Sequence, residues 1–335
     1  MPPAVSSSSL PPSPPPPPPL DAWGLTPAEH LLIDGGLDPD AAVWQVRDDS
    51  GGLWAVKATR RDCRFGLALA ASVGADVSVV APVPTTTGRL WTEHEGSIVS
   101  VSPWVFGDDA AEDGRGLDDA QWTELGAVVR RIHDQAPPSD VAPLRRGVKR
   151  TGRRARVLLR DLDHRFVGRP DDPLAELWRE HRGRLDRLER VALELKGTRT
   201  DTDRVPCHGD PHLGNVVVDE AGRPWLIDLD EATVAPREVD LVLVEFGVLP
   251  GLPMTEAHRS AFRLGYGDDV TLDDDRLVRF ACIRALEDVT ATFSSLERAH
   301  SPQHGSDADG VQAGLGAQLG PLGLTSLVEA RLARA

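Results

Sequence analysis

The sequence contains little cysteine and no long hydrophobic run. Its three cysteines, Cys63, Cys207 and Cys282, are far apart and odd in number, which excludes a disulfide framework and zinc-site spacing. No stretch of about 18 apolar residues occurs, so no membrane-spanning helix is expected. The opening residues M-P-P-A-V-S-S-S-S-L lack the basic start and apolar centre of a secretory signal. These absences favour a cytoplasmic protein without a membrane partner.

Positive charge is also scarce. Lys and Arg number 37 and Asp and Glu 52, which leaves a formal net charge of -15. A surface of this sign disfavours nucleic acid and suits a cationic small molecule, although surplus acid also serves solubility alone. The 335 residues, 40% of them hydrophobic and 27% charged, suffice for one large domain or two lobes with separate cores. Nothing in the pattern indicates an oligomeric state.

The residue pattern changes along the chain and predicts an α+β fold. Residues 1–20 are nearly all Pro and Ser and predict a disordered tail. Residues 21–107 read as a β-rich lobe, residues 108–300 as a mainly helical lobe, and residues 301–335 as a loose, glycine-rich tail with a short terminal helix.

Individual elements follow from periodicity and capping signals. Strands are predicted at 42–46, 53–58, 77–83, 90–92 and 97–101. Helices are predicted at 64–73, 118–133, 174–195, 255–266 and 275–296, and residues 240–248 read as apolar helix or strand. Thr26-Pro27-Ala28-Glu29 has the form of a capping box and predicts one more short helix.

The most informative stretch is V-P-C-H-G-D-P-H-L-G-N-V-V-V-D-E-A-G-R-P-W-L-I-D-L-D-E, residues 205–231. Two short apolar strands flank a turn that contains Gly222, which predicts a hairpin. Asp210 and Asn215 precede the first strand and Asp228 ends the second, so all three are expected to lie close together. Two carboxylates and an amide form an oxygen-rich site suited to Mg²⁺.

Three further features have two interpretations each. Lys57, in W-A-V-K-A, is a site residue or a charge on an edge strand. Gly35 and Gly36 allow close approach to a phosphate or simply form a turn. The basic segment 145–169 binds phosphates or is a solvated helix face.

These motifs together resemble the aminoglycoside phosphotransferase and choline kinase family, small-molecule relatives of protein kinases. H-G-D-P-H-L-G-N followed by L-I-D-L-D is similar to the family's catalytic and metal-binding loops. Five more segments agree over residues 25–295: W-A-V-K-A, A-P-V-P-T-T-T-G-R, P-W-V-F-G, L-G-A-V-V-R-R-I-H and R-E-V-D-L-V. The resemblance implies a protein-kinase-like bilobal fold with a small antiparallel sheet in the N-lobe and a helical C-lobe. A narrower similarity is to the spectinomycin phosphotransferase-like branch.

The resemblance also assigns roles to residues. It implies that Asp210 is the catalytic base, that Asn215 and Asp228 hold Mg²⁺, and that Lys57 contacts the α- and β-phosphates of ATP. The adenine would meet the backbone of a hinge formed by Ser102, Pro103, Trp104 and Val105.

Other residues would support the site or meet the acceptor. His208 and Asp240 would be structural and brace the catalytic loop. Asp230 or Glu231 would face a substrate amine, or both belong to a solvated acidic turn. In the acceptor pocket, Glu287 and Asp288 are the best-placed acids.

The implied activity is ATP- and Mg²⁺-dependent transfer of the γ-phosphate to a hydroxyl of a small molecule, cationic in some cases. Aminoglycosides or aminocyclitols, choline and sugars are all candidate acceptors, and the role could be resistance, self-protection or metabolism. GTP is not excluded as the phosphate donor.

One departure stands out: Gly66, Leu67 and Ala68 occupy the place where the family has a glutamate that pairs with the strand lysine. It leaves open a nucleotide-binding pseudokinase. A protein kinase is disfavoured because H-R-D, D-F-G, A-P-E and a G-x-G-x-x-G loop are missing.

Overall fold

The computed structural model describes residues 15–33, 40–74, 77–111, 116–142, 153–195, 203–249, 252–299 and 308–334. The chain divides into two compact units. The β unit comprises Met1–Asp62 and Ala81–Trp104, and the helical unit comprises Cys63–Val80 and Val105–Ala335. Among the described residues, no helix has the length and apolar character needed to cross a membrane.

Some predicted features lie outside the described residues. These are the tail residues 1–14, the glycine pair at 35 and 36, and the basic residues 145–152. The lobe boundaries at residues 20, 107 and 300 stay predictions.

The β unit is an antiparallel sheet of five strands in the order β1-β2-β3-β5-β4. The strands are β1 (Pro27–Leu32), β2 (Ala41–Asp48), β3 (Leu53–Thr59), β4 (Thr92–His94) and β5 (Ser97–Pro103). Its core contains Leu20, Trp23, Trp44, Val46, Val56, Val99 and Val101. Lys57 pairs with Val43 on one side and Ser100 on the other. Because β3 is central, the edge-charge interpretation of Lys57 is wrong.

The first strand corrects one prediction. The segment after Thr26 forms β1 rather than a short helix, and it pairs with β2 through a bulge between Pro27 and Glu29. A single capped turn is a marginal helix, whereas the open edge of β2 offers backbone partners to the whole segment. Pro27 is tolerated because it stands at the first position of an edge strand.

The end of the proline-rich tail packs on the sheet. Trp44 Nε1 donates a hydrogen bond to the carbonyl oxygen of Pro15, at 2.9 Å. Leu20 is only 2% exposed and belongs to the core of the β unit. The expectation of disorder is therefore wrong for residues 15–20, because Trp44 binds the backbone of Pro15 and Leu20 packs in the core of the β unit.

The helical unit contains the remaining elements. Its helices are α1 (Arg64–Val73), α2 (Asp119–His133), α3 (Arg153–Phe166), α4 (Pro173–Glu194), α5 (Glu238–Phe246), α6 (Glu256–Tyr266), α7 (Asp274–Ala299), α8 (Ala308–Leu319) and α9 (Leu324–Leu332). Its strands are β6 (Gly107–Asp109), β7 (Val205–Cys207), β8 (Val216–Asp219), β9 (Pro224–Leu226), β10 (Thr233–Ala235), β11 (Val248–Leu249) and β12 (Leu252–Pro253). They form one sheet in the order β6-β8-β9 and the pairs β7-β10 and β11-β12.

Two stretches differ from the sequence prediction. The predicted strand 77–83 is reduced to one parallel bridge between Val79 and Leu226. Residues 308–319 were predicted to be loose, and this prediction is wrong. They form α8, which buries Leu315 and Leu319 against α7. Glycine lowers helix propensity, but tertiary burial of two leucines compensates for it.

Helix α5 joins the two hydrophobic cores of the helical unit. Val239 and Val242 pack in one core, with α3, α4 and α7, while Leu241 and Val244 pack in the other, with α1, α2 and α6. A helix that is apolar on every side is typical of a fully buried position. The acid on this helix, Asp240, is 2% exposed and is therefore held inside the protein.

Helix α1 approaches the segment after Asp228 through a glycine. A Cβ atom on Gly66 would stand 1.9 Å from the carbonyl oxygen of Leu229, the residue after Asp228. Nothing larger than glycine fits there without moving the backbone. The part of α1 in which the resemblance implies a glutamate therefore makes a close contact with the backbone of Leu229.

We predict that Gly66→Ala lowers the free energy of unfolding by about 1–3 kcal/mol, because the added methyl group displaces the segment that carries Asp228. Urea titration of the wild type and the variant measures the change. Gly183→Ala is the matched control, since Gly183 lies within α4 and no atom stands within 4 Å of an added Cβ. That control should gain about 0.5–1 kcal/mol. Equal behaviour of the two variants would contradict the close contact.

Candidate active site

The predicted hairpin forms and brings two loops together. Strand β8 pairs with β9, with Val216 opposite Leu226. The pairing continues for one step, because the Ile227 N–H donates to the carbonyl oxygen of Asn215 at 2.9 Å. Gly222 adopts a φ of 82° in the turn, a conformation that glycine adopts readily. The residue before β8 and the residue after Ile227 are thus held at the same end of the hairpin.

Asn215 is oriented by the loop that carries Asp210. Its Nδ2 donates to the carbonyl oxygen of Asp210 at 2.8 Å. The Oδ1 atom therefore remains as an acceptor, and no described residue donates a hydrogen bond to it. An amide oxygen in this position is a suitable ligand for a hard cation.

Asp228 has an unusual backbone conformation. Its φ is 60°, and it is one of two non-glycine residues in the described chain with a positive φ. Aspartate and asparagine tolerate this region better than other residues. The residue is exposed, and one carboxylate oxygen accepts a weak hydrogen bond from the Asp230 N–H at 3.3 Å. The strained backbone thus presents an accessible carboxylate beside the oriented amide of Asn215.

His208 links the two loops as a neutral ring. Its Nδ1 accepts from the Asp210 N–H at 3.2 Å, so the proton lies on Nε2, which donates to the Ile227 carbonyl at 2.9 Å. The side chain is fully buried. Because both ring nitrogens are engaged with the backbone, the geometry is that of a brace between the loops.

Asp240 anchors the loop that carries Asp210. Its two oxygens accept the backbone N–H groups of His208 at 2.7 Å and Gly209 at 2.8 Å. His133 Nε2 donates to the same carboxylate at 3.0 Å. Burial opposes ionisation, but these donors hold the pKa of Asp240 below its ordinary value. The carboxylate is therefore charged and fully engaged.

Tyr266 completes this buried chain of hydrogen bonds and was missed by the sequence reasoning. Its hydroxyl lies 2.7 Å from His133 Nδ1 and accepts from Arg237 Nη1 at 3.2 Å. When the His133 ring is neutral, with its proton on Nε2 toward Asp240, Nδ1 accepts from the tyrosine hydroxyl. Burial raises the pKa of Tyr266 to about 12, against the opposing effect of Arg237.

We predict that the single tyrosine of the sequence titrates well above pH 10. The raised pKa favours the protonated form in the folded state. Its contribution to stability is therefore complete below pH 10 and is lost as the pH rises from 10 to about 12. Phenolate absorbance measures the titration directly, because no other tyrosine contributes. Unfolding measurements at pH 8 and 11 should show a larger loss for the wild type than for Tyr266→Phe. A titration midpoint at pH 10 in the folded protein would contradict the buried network.

Arg284 is the second residue that the sequence reasoning missed. Its Nη1 donates to Asp210 Oδ1, and its Nε donates to both oxygens of Asp288, at 2.7 and 2.9 Å. The available signal was an arginine four residues before an acid, the spacing of an ion pair on one helix face. Burial would lower the pKa of Arg284, but Asp210 and Asp288 raise it above its usual range, so the group stays charged.

The other side of Asp210 faces His212. Its Nε2 lies 3.8 Å from Asp210 Oδ2, and burial lowers the pKa of this histidine despite the nearby carboxylate. The predicted base thus stands between a cation and an imidazole that is neutral at pH 7.

The remaining predicted residues fall into two groups. Asp230 and Glu231 are half-buried on the segment after Asp228, and Glu287 is half-buried on α7, one residue before Asp288. The predicted nucleotide contacts lie at the end of the β unit: Ser102 and Pro103 end β5, and the Trp104 N–H donates to the Leu53 carbonyl at 3.1 Å.

The backbone of Val105, the last residue of the predicted hinge, has no protein partner within the described part of the chain. Its N–H and carbonyl therefore remain able to meet a ligand.

Comparison with known proteins decides the family. The sequence model of the phosphotransferase enzyme family matches residues 33–276. The chain belongs to this family. The predicted family and the predicted small-molecule kinase acting on a hydroxyl group are thereby confirmed. No curated protein matches the sequence.

Several solved structures share the fold. Spectinomycin phosphotransferase APH(9)-Ia, solved with ADP and spectinomycin, has a TM-score of 0.76 and 20% identity and covers 92% of this chain and 94% of its own. An aminoglycoside phosphotransferase from Alicyclobacillus acidocaldarius has a TM-score of 0.52 and 16% identity and covers 94% and 93%. APH(2")-IIia, solved with GDP and kanamycin, has a TM-score of 0.55 and 15% identity and covers 92% and 95%. The predicted kinase-like fold, with an antiparallel sheet in the N-lobe and a helical C-lobe, is confirmed.

Proposed function

We propose that the protein transfers the γ-phosphate of ATP, with Mg²⁺, to a hydroxyl group of a small polyhydroxylated molecule of the aminocyclitol or aminoglycoside type. The observation that carries this proposal is the arrangement around Asn215, whose amide binds the loop of Asp210 while its strand pairs with the segment of Asp228. A base and a pair of oxygen ligands on adjoining loops are the parts that phosphoryl transfer requires.

The donor set fits a magnesium ion. Asn215 Oδ1 and the carboxylate of Asp228 are hard oxygen ligands. Asn215 is half-buried and Asp228 is exposed. When bound, Mg²⁺ would neutralise charge on the nucleotide phosphates. Lys57 and the backbone of residues 102–105 remain the predicted contacts for the phosphates and the adenine.

Asp210 would act on the acceptor. Its carboxylate accepts the proton of the acceptor hydroxyl as that oxygen bonds to the γ-phosphorus, and the bond from the phosphorus to the bridging oxygen breaks to release ADP. His208 and Asp240 would keep the loop in place during this step. Asp240 accepts from the backbone N–H groups of His208 and Gly209, and His208 joins the Asp210 N–H to the Ile227 carbonyl.

The acceptor class is supported by the resemblance in fold. APH(9)-Ia was solved with spectinomycin, and its TM-score of 0.76 exceeds the 0.55 of the structure solved with kanamycin. An aminocyclitol-like acceptor is therefore the first candidate, ahead of choline or a simple sugar.

We predict that Asp210→Asn lowers turnover about 10²- to 10⁴-fold, because the amide cannot take the proton of the acceptor. ADP release is measured with ATP, Mg²⁺ and a panel of spectinomycin-like aminocyclitols, aminoglycosides, choline and sugars. Asp171→Asn, at an exposed acid, is the matched control and should leave turnover unchanged. Equal turnover in the wild type and Asp210→Asn would exclude the catalytic role. Nucleotide binding without acceptor-dependent ADP release would indicate the pseudokinase.

We predict that Asp228→Asn raises the Mg²⁺ concentration for half-maximal activity at least about tenfold, because it removes a charged oxygen ligand. Asparagine tolerates the positive φ of this position, so the variant separates the loss of charge from backbone strain. Asn215→Ala should act in the same direction. Titration of activity with Mg²⁺ after removal of metal with a chelator provides the measurement. An unchanged Mg²⁺ requirement in both variants would place the metal elsewhere.

A further inference from the structure

One face of the five-stranded sheet is apolar and is covered by the N-terminal segment. Val56 is paired with Trp44 on one side and with Val101 on the other, so the three side chains lie on the same face. All three are buried, in one core with Leu20 of the N-terminal segment. Lys57, the next residue of β3, belongs to the opposite face. The segment therefore forms a second layer on the face that Lys57 does not share.

The segment crosses this apolar face between two fixed points. At its start, the carbonyl oxygen of Pro15 accepts from Trp44 Nε1 of β2 at 2.9 Å. At its end, Trp23 Nε1 donates to the carbonyl oxygen of Val83 at 2.9 Å, and the Val83 N–H donates to the Val101 carbonyl of β5. The segment thus passes over β3, which lies between β2 and β5.

Five consecutive prolines, residues 15–19, give the start of the segment a distinct chemistry. They carry no backbone N–H group, so the run cannot pair with a strand edge as another strand would. Their fixed φ favours the left-handed polyproline II helix, which has three residues per turn and no internal hydrogen bonds. Pro15, which accepts from Trp44, and Pro18, which is buried, are three residues apart, and so are the exposed Pro16 and Pro19. One edge of such a helix therefore meets the sheet.

Trp44 supplies the donor that such a run lacks. The residue is 5% exposed, and a buried indole N–H requires an acceptor. A proline carbonyl is an acceptor on a residue that offers no donor of its own. Proline-rich peptides with prolines three residues apart bind to aromatic-lined grooves, at a small entropy cost because their helix is preformed.

We propose that the apolar face around Trp44 is a polyproline-binding site, that its ligand is the chain's own residues 15–19, and that a free polyproline peptide can replace this ligand. The Trp44 bond and the buried ring of Pro18 hold the run, whereas Leu20 and Trp23 hold the chain after it. The run can therefore leave the sheet while the core of the β unit stays intact. No residue of the proposed catalytic site takes part.

The test replaces residues 15–19 by alternating Gly and Ser in the full-length chain. In a ¹H–¹⁵N spectrum, the indole N–H signal of Trp44, assigned by its loss in Trp44→Phe, should move from its wild-type position. The indole N–H of Trp54, which donates to Asp48 Oδ2 at 2.8 Å, should keep its position. Added hexa-L-proline should return the Trp44 signal to its wild-type position. Hexa-D-proline should not, because its helix has the opposite hand.

The tethered run also competes with the peptide, at an effective concentration in the millimolar range. Labelled hexa-L-proline should therefore bind the replaced chain at least about tenfold more tightly than the wild type, as measured by fluorescence anisotropy. Trp44→Phe in the replaced chain should weaken this binding about 3- to 10-fold, because one hydrogen bond is lost while an aromatic ring stays.

Two single substitutions provide a matched pair in the otherwise native chain. Pro18→Gly should move the Trp44 signal toward that of the replaced chain, whereas Pro16→Gly, the same backbone change at an exposed ring, should move it less. An unmoved Trp44 signal in the replaced chain, no peptide binding to it, or equal binding of the L and D peptides would overturn the proposal. If the Trp54 signal shows that the replaced chain is unfolded, the pair decides, and equal shifts in Pro18→Gly and Pro16→Gly would overturn it.

Discussion

The candidate site depends on one buried carboxylate. Asp240 accepts two consecutive backbone N–H groups of the loop that carries Asp210, and the ring N–H of His133. Loops have few internal hydrogen bonds, so a loop that must hold a base in place needs an external anchor. Here the anchor stands on α5, which is buried on all sides. The position of Asp210 is therefore fixed by the most deeply packed helix of the unit.

Local sequence signals predicted the elements whose stabilising contacts are close in the chain. Helix α1 was predicted with its observed bounds, and α2 differs only by its N-cap residue, Asp118, which forms the capping box. The hairpin of β8 and β9 followed from its turn and alternating residues. Strand β1 and helix α8 were mispredicted because pairing with β2 and burial against α7 involve residues distant in sequence.

The residues of the site likewise divide into those that local sequence predicts and those that depend on contacts between distant parts of the chain. Asp210, Asn215 and Asp228 were predicted as site residues because they lie in one short motif of the sequence. Arg284 and Tyr266 act on that motif from helices far along the chain, and only the fold brings them to Asp210 and His133. The absent glutamate of α1 has a related explanation, because Gly66 serves contact with the Leu229 backbone, which the sequence alone does not reveal.

The division of the chain has a consequence for how the protein is made. Helix α1 belongs to the helical unit, yet it is synthesised before the last strands of the β unit and before nearly all of its own core. The buried face of α1 can pack only after α2 and β9 have been synthesised. These contacts join residues far apart in the chain, which slows folding. A fragment that starts at residue 105 would lack this helix and leave the apolar residues around Leu229 uncovered. The two units are thus compact in space but interleaved in synthesis, so the helical unit cannot be produced as one uninterrupted piece of chain.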